Sequence, residues 1–290
     1  MKRIFLLGYP VSHSISPAMQ NAALHDLGID WQYELLATPP NQLRDTVARL
    51  RDADCIGANI TIPHKQAVMQ FLDATSERAR QIGAVNTLVK RDGKLIGDNT
   101  DVYGVLQTLV DEHVSVRGAR VVVLGAGGAA RGTVFALGEA SVASIAILNR
   151  TPAHAHTLAD FTREQFPNVA VTVNNIKALN DAELIINTTS VGMTPHTNAS
   201  PMPEGISFPR RAIAFDLVYR PLQTRFLKDA ERAGAKTISG LGMLVHQGAL
   251  SLKLWTGRDA PAQMMWNAAS NALRTTECET RHERDVMRDL

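Results

Sequence analysis

The stretch Val121-Val122-Val123-Leu124-Gly125-Ala126-Gly127-Gly128-Ala129-Ala130-Arg131 decides the fold. Three valines and a leucine read as a strand covered on both faces of its sheet. The glycines read as a tight turn, and the small residues after them as the start of a helix. Gly125, Gly127 and Ala130 fit the pattern G-x-G-x-x-G/A. The first glycine permits the turn, the second lets a pyrophosphate approach the backbone, and the small third residue lets helix pack on strand. Phosphate oxygens meet unpaired N–H groups and the positive dipole end of the helix. The expectation is a Rossmann-like unit with a parallel sheet that binds a dinucleotide.

The following strand ends at Leu148-Asn149-Arg150-Thr151, where the ribose partner belongs. An acidic residue there would select NAD. Arg150 and Thr151 stand there instead, and a guanidinium can hold a 2′-phosphate and stack on adenine. NADP is therefore expected, with NAD as the weaker alternative. His154 adds a further donor. The plainer reading of Arg150 is a solvated surface cation.

Away from this turn, short apolar runs alternate with amphipathic stretches, the pattern of an α/β protein with mainly parallel sheets. Strands are expected over 4–9, 31–36, 55–62, 83–89, 97–100, 120–124, 144–148, 182–187 and 212–217. Helices are expected over 17–27 with Ser16 as N-cap, 42–51, 102–111, from the glycine turn to about 138, and over 241–255. The charged stretch Thr275 to Leu290 reads as a peripheral helix or frayed tail.

The 290 residues suit two domains of ordinary size. Hydrophobic residues make up 45% and charged residues 20%, as in globular proteins. A net charge of +2 gives no bulk attraction to nucleic acid or to a membrane surface. The start shows no secretory pattern, and no apolar run approaches the ~20 residues that span a bilayer. Cys55 and Cys278 match no metal spacing, and no metal is expected. They read as reduced thiols of a cytoplasmic protein.

Polar residues also interrupt the apolar strands of the first hundred residues. His13-Ser14-Ile15-Ser16-Pro17 places two hydroxyls at alternate positions, so in extended backbone both face one way. Asn59-Ile60-Thr61-Ile62-Pro63-His64-Lys65 does the same with Asn59 and Thr61, then delivers a lysine. Asn86-Thr87 and Asp98-Asn99-Thr100-Asp101 are expected at further strand ends, where open α/β sheets build sites. Taken singly, each has a bland reading: cap, turn or surface charge. Four such clusters in one small unit point to a polar site.

These residues carry a family resemblance. G-Y-P-V-S-H-S-I-S-P (Gly8 to Pro17), N-I-T-I-P-H-K (Asn59 to Lys65), G-A-V-N-T (Gly83 to Thr87) and N-T-D-V-Y-G (Asn99 to Gly104) resemble the shikimate dehydrogenase family. So do G-A-G-G-A (Gly125 to Ala129), N-R-T (Asn149 to Thr151), N-T-T-S-V-G-M (Asn187 to Met193) and G-L-G-M-L-V-H-Q (Gly240 to Gln247). The likeness runs in order from about residue 4 to residue 260.

The resemblance implies a catalytic domain built from residues 1–102 and 241–290, with an NADP-binding domain, 103–240, inserted between. It implies NADPH-dependent, reversible reduction of 3-dehydroshikimate to shikimate, in chorismate and aromatic amino acid biosynthesis. Ser14 and Ser16 would bind the substrate carboxylate. Thr61, Asn86, Asp101 and Gln247 would bind ring hydroxyls, with Tyr219 nearby. Lys65 and Asp101 would form the catalytic pair. Cofactor contacts would fall on Gly125, Ala126, Gly127, Gly128 and Ala129, on Asn149, Arg150, Thr151 and His154, and on Leu217 and Gly240. The partner would be this small molecule alone; a homodimer is compatible with it.

Two departures matter. Pro152-Ala153-His154 lacks the second firm cation often found after N-R-T, so NADP preference would be moderate. Tyr9-Pro10, Met19-Gln20-Asn21 and Leu254-Trp255-Thr256-Gly257 resemble the quinate/shikimate branch, which takes either acid and can use NAD. A cofactor-binding regulatory protein without catalysis is the alternative of another class, and the intact Lys65 and Asp101 argue against it.

Overall fold

A computed structural model describes residues 1–286, with side chains described through residue 275. Two six-stranded sheets organise the chain.

The N-terminal sheet contains β1 (Lys2–Gly8), β2 (Trp31–Ala37), β3 (Cys55–Ile60), β4 (Ala74–Thr75), β5 (Thr87–Arg91) and β6 (Lys94–Asp98). Their order is β2-β1-β3-β5-β6-β4, and β5 runs antiparallel to both β3 and β6. Helix α1 (Ser16–Asp26) covers one face, α2 (Leu43–Arg49) the other, and α3 (Glu77–Ile82) precedes β5.

The second sheet is entirely parallel. It contains β7 (Arg120–Leu124), β8 (Ser144–Leu148), β9 (Ala170–Val173), β10 (Leu184–Asn187), β11 (Ile213–Asp216) and β12 (Lys236–Ile238). The order β12-β11-β10-β7-β8-β9 reverses direction between β7 and β10, which makes a topological switch point there. Val121, Val123, Ile145, Ile147, Leu184 and Ile186 face one core, while Val122, Leu124, Ala146, Leu148 and Ile185 face the other. Burial on both faces explains why these strands read as continuous apolar runs rather than alternating ones.

Helices α4 (Asp101–Asp111) and α8 (Leu241–Thr256) carry the chain between the sheets and pack on each other. Helix α5 (Gly128–Glu139) follows the glycine turn, and α6 (Pro152–Gln165) and α7 (Arg225–Arg232) complete the second unit. Helix α9 (Ala262–Val286) packs against α1 and α8. The tail expected over Thr275 to Leu290 is thus helical as far as Val286; residues 287–290 and the Cys278 side chain lie outside the described residues.

Several sequence expectations change here. Ser16 does not cap α1: it is the first helical residue, after Ile15, and its side chain makes no capping bond. The strand expected over 83–89 begins only at Thr87, because Gly83 is the left-handed cap of α3. The third strand stops at Ile60, so alternation in the strand reaches Asn59 but not Thr61.

Candidate functional site

The polar clusters converge where the carboxyl end of β3 meets the start of β5. Asn59 is paired with Thr87 across these antiparallel strands, and Thr87 in turn with Asp98 of β6. Asn86 therefore stands just before a strand rather than at the end of one, and antiparallel pairing still brings it to the edge where β3 ends.

At the centre Lys65 Nζ donates to Asp101 Oδ2 at 2.7 Å. The aspartate side chain is 3% exposed and the lysine 14%, so the pair is largely shielded from solvent. Asn86 Nδ2 donates to Asp101 Oδ1 at 2.8 Å and lies 2.9 Å from Thr100 Oγ1 and 3.3 Å from Gln247 Oε1. The Thr100 amide donates to Asn86 Oδ1 at 2.8 Å, which fixes the orientation of the asparagine amide. Asn99 Oδ1 accepts from the Asp101 amide at 3.0 Å. Both carboxylate oxygens are thus held, and a buried charge that is paired and hydrogen-bonded keeps one geometry.

Beneath lies a layer in which Asn59, Thr87 and Thr100 belong to the polar clusters of the sequence, whereas Ser251 and Tyr33 do not. Ser251 Oγ is 2.8 Å from Thr87 Oγ1 and 3.1 Å from Thr100 Oγ1, and it accepts from Asn59 Nδ2 at 3.1 Å. The Tyr33 phenol donates to Asn59 Oδ1 at 2.9 Å. Ser251 stands four residues beyond Gln247 on α8, the one signal that could have found it.

Ser14 Oγ donates to Ser16 Oγ at 3.1 Å, so these two hydroxyls do come together. Tyr219 interacts with Ser14, and Tyr33 with Ser16; burial raises both phenols above the ordinary tyrosine range. Arg220 Nη1 donates to the His13 carbonyl at 2.9 Å, which joins the loop after β11 to the serine loop. Thr61 is half-buried, with its methyl packed under Gly8.

The other half of the site is backbone. Gly125 has φ +114, and a Cβ there would lie 2.6 Å from Thr188 Oγ1, so only glycine fits the turn. Gly127 caps α5 with no side-chain bond, and a Cβ on it would meet nothing within 4 Å. The first N–H groups of α5 therefore face an open cradle at the switch point, a fit for the pyrophosphate of a dinucleotide. Asn149, Arg150, Thr151 and His154 line the entry to α6. Arg150, Thr151 and His154 are exposed, and Arg150 makes no ion pair among the described residues. Gly240 packs on the Leu217 carbonyl, at 2.4 Å from the position of a Cβ.

The halves touch. Helix α5 meets the Lys65–Asp101 pair through its first turns: a Cβ on Gly128 would stand 3.0 Å from Lys65 Cβ, and one on Gly132 would stand 3.2 Å from Asp101 Cβ. A separate cavity of 490 Å³ lies at the opposite, N-terminal ends of β7, β10 and β11, lined by Arg120, Glu183 and Arg211 among others. Among the described residues no group of His, Cys, Asp and Glu is gathered that could hold a metal ion.

One carboxylate outside this network also escaped the sequence reading. Asp216, fully buried at the end of β11, accepts from Asn187 Nδ2 at 2.8 Å, from the Val218 amide at 2.9 Å and from Thr224 Oγ1 at 2.6 Å. Burial pushes its carboxyl up to about 6.

Comparison with known proteins agrees with this geometry. Residues 6–88 match the family model for the shikimate dehydrogenase substrate binding domain. Residues 108–217 match that for shikimate / quinate 5-dehydrogenase, and 240–269 that for the shikimate 5′-dehydrogenase C-terminal domain. A shikimate dehydrogenase (NADP(+)) of Symbiobacterium thermophilum is 45% identical over 274 residues, spanning 92% of this chain and 93% of that protein. The shikimate 5-dehydrogenase of Thermus thermophilus, solved with NADP(H) and shikimate, superposes with a TM-score of 0.85. It is 41% identical and covers 94% of this chain and 100% of its own. A quinate dehydrogenase of Corynebacterium glutamicum, solved with NAD, gives a TM-score of 0.82 at 28% identity, over 92% of this chain and 98% of its own.

Proposed function

The chain belongs to the shikimate dehydrogenase family, and from that premise we propose that it is an NADP-dependent oxidoreductase acting on a CH–OH group, reducing 3-dehydroshikimate reversibly to shikimate. The observation that carries this reading is the buried Lys65–Asp101 pair set directly against the cofactor turn of α5. A proton donor beside a dinucleotide cradle is what carbonyl reduction requires.

When bound, NADPH supplies the hydride that the C3 carbonyl carbon accepts. The protein's own residues do the rest. Lys65 Nζ delivers a proton to the carbonyl oxygen as negative charge develops there, and removes it in the reverse direction. Asp101 holds the ammonium through Oδ2, while Asn86 and the Asn99-supported backbone hold Asp101. Ser14 and Ser16 bind the substrate carboxylate with neutral hydroxyls, and selection therefore rests on hydrogen bonds rather than a charge clamp. Thr61, Asn86, Asp101 and Gln247 take the ring hydroxyls, with Tyr219 alongside. Gly125 to Ala129 cradle the pyrophosphate. Asn149, Arg150, Thr151 and His154 face the adenosine end, with Arg150 on the 2′-phosphate. Leu217 and Gly240 shape the nicotinamide end.

We divide the chain into a substrate-binding domain of residues 1–102 and 241–290 and a cofactor-binding domain of residues 103–240. Among the described residues no helix is long and apolar enough to cross a membrane. The free, buried thiol of Cys55 supports a cytoplasmic enzyme. The near-neutral chain supports a small-molecule partner alone, and light scattering would decide between monomer and homodimer.

Steady-state rates with four pairings, shikimate or quinate with NADP or NAD, test the reading. The expected result is the highest kcat/KM for shikimate with NADP. A preference for quinate with NAD would replace it with a quinate/shikimate dehydrogenase, the reading to which the similar quinate dehydrogenase solved with NAD corresponds. No change in NADPH absorbance with any pairing across pH would leave a regulatory cofactor-binding protein.

A further inference from the structure

Arg131 contacts neither proposed ligand site, yet it joins the two halves. It stands on α5, and its Nε donates to the Ile82 carbonyl at 2.6 Å, at the end of α3. Its guanidinium lies over the Phe161 ring of α6, 4.1 Å from the ring centre. Burial lowers its pKa from the ordinary arginine value. Gly83, left-handed at φ +68, leaves the room: a Cβ there would approach Arg131 Nη2 to 2.8 Å.

The segment gripped in this way is the one that holds the catalytic pair. The Val85 amide donates to the Lys65 carbonyl at 2.7 Å. The Ala84 carbonyl accepts from Asn99 Nδ2 at 3.0 Å, and Asn99 Oδ1 accepts from the Asp101 amide at 3.0 Å. A second tie between the same elements, Arg78 with Glu139 at 3.5 Å, is half-exposed and correspondingly weak.

We infer that Arg131 is a positioning residue for the transfer step, fixing the cofactor-bearing helix in register with the backbone that carries Lys65 and Asp101. The inference rests on the reading proposed above. Hydride and proton must reach the two ends of one carbonyl bond. The hydride's position is set by α5 and the proton's by the segment from Ile82 to Val85. A displacement of about 1 Å between them costs on the order of a hundredfold in rate.

The experiment is Arg131→Met, which keeps an apolar stem over Phe161 and removes the donor. The expected result is a kcat lower by about 10- to 100-fold. Shikimate KM, and NADP Kd measured without substrate, stay within about twofold. The primary deuterium isotope effect on kcat rises, because transfer becomes slower than product release. In the unliganded protein, amide hydrogen exchange quickens at Val85 and Asn86 and is unchanged at Val122 to Leu124. Arg131→Lys, which keeps a donor, recovers part of each effect. Should the methionine variant fail to fold, Phe161→Leu keeps the donor, removes the ring, and shifts the same quantities less. Wild-type kcat, or a kcat restored at saturating NADP with a raised Kd, overturns the inference; so does unchanged exchange at Val85 and Asn86. The exchange measurement needs no turnover. A wild-type protein inactive with all four pairings would overturn the shikimate reading, and the exchange data would still report whether Arg131 grips the segment.

Discussion

At the edge where β3 ends and β5 begins, the chain gathers Asn59, Asn86, Thr87, Thr100 and Ser251 into one buried hydrogen-bonded layer under Asp101. At the carboxyl end of β7 the corresponding position holds Gly125, Ala126, Gly127 and Gly128, with no side-chain group for a ligand to meet. In the proposed function the first edge recognises with side chains and would be vulnerable to removing one. The second recognises with backbone and would be vulnerable to adding one. The difference follows from the ligands. A small ring with several hydroxyls needs donors and acceptors in individual directions, whereas a pyrophosphate needs close approach to N–H groups and a dipole.

The largest expected effect tests the side-chain edge. Lys65→Ala should lower kcat by about three orders of magnitude with little change in shikimate affinity, since the lost interaction acts mainly in the transition state. Steady-state kinetics beside calorimetric binding reads both, and near-wild-type turnover would break the assignment of the proton donor.

The converse experiment adds a methyl group at the backbone edge. Gly125→Ala forces a Cβ to within 2.6 Å of Thr188 Oγ1 in a conformation that side chains rarely adopt. It should cost about 3 kcal/mol of stability and weaken NADP binding at least about tenfold, while shikimate binding to the unliganded protein is unchanged. Equal losses at both ligands would mean that the two edges are not independent.

Asp216 sharpens the contrast, as a buried, side-chain-bonded carboxylate in the sheet whose β7 end offers only backbone. Its carboxyl is raised from 3.8 to about 6, chiefly by burial, so the folded state holds the proton more tightly than the unfolded chain. The resulting stability is fully present below about pH 3.8 and is lost as pH rises through about 6. Asp216→Asn should remove this fall, worth about 2–3 kcal/mol, from denaturant midpoints measured between pH 4 and pH 7. A slope unchanged from wild type would assign the fall to other groups.

The smallest effect concerns cofactor choice. Arg150→Ala should lower the ratio of NADP to NAD kcat/KM by about tenfold, with NAD parameters nearly constant. An unchanged ratio would return Arg150 to the role of a surface cation.

How much was legible follows from burial and separation. The strands 120–124 and 144–148 agree residue for residue with the sequence expectation, because each apolar run is buried on both faces and bounded by turn residues. Helix α6 and the edge strands β9 and β12 were not marked. The two strands are only four and three residues long and partly exposed, so their pattern is weak. Lys65, Asp101, Ser14 and Ser16 could be picked out because each stands in a compact local motif. Ser251, Asp216 and Arg131 could not, because the partners that give them their setting, Asn59 and Thr87 for Ser251, Asn187 for Asp216 and Ile82 for Arg131, lie 29 to 192 positions away in the chain.

The sequence by itself determined the glycine turn, its strand and helix, the cation at Arg150, and the local motifs that carry Lys65 and Asp101. Short-range geometry dictates these, and adjacent residues express it. Only the tertiary structure decided that Lys65 and Asp101 are 2.7 Å apart, that antiparallel β5 brings Asn86 to the same edge, and that α5 lies against both. The physical reason is that these distances are set by how two cores pack around α4, α5 and α8, and no local pattern encodes the register of elements a hundred residues apart.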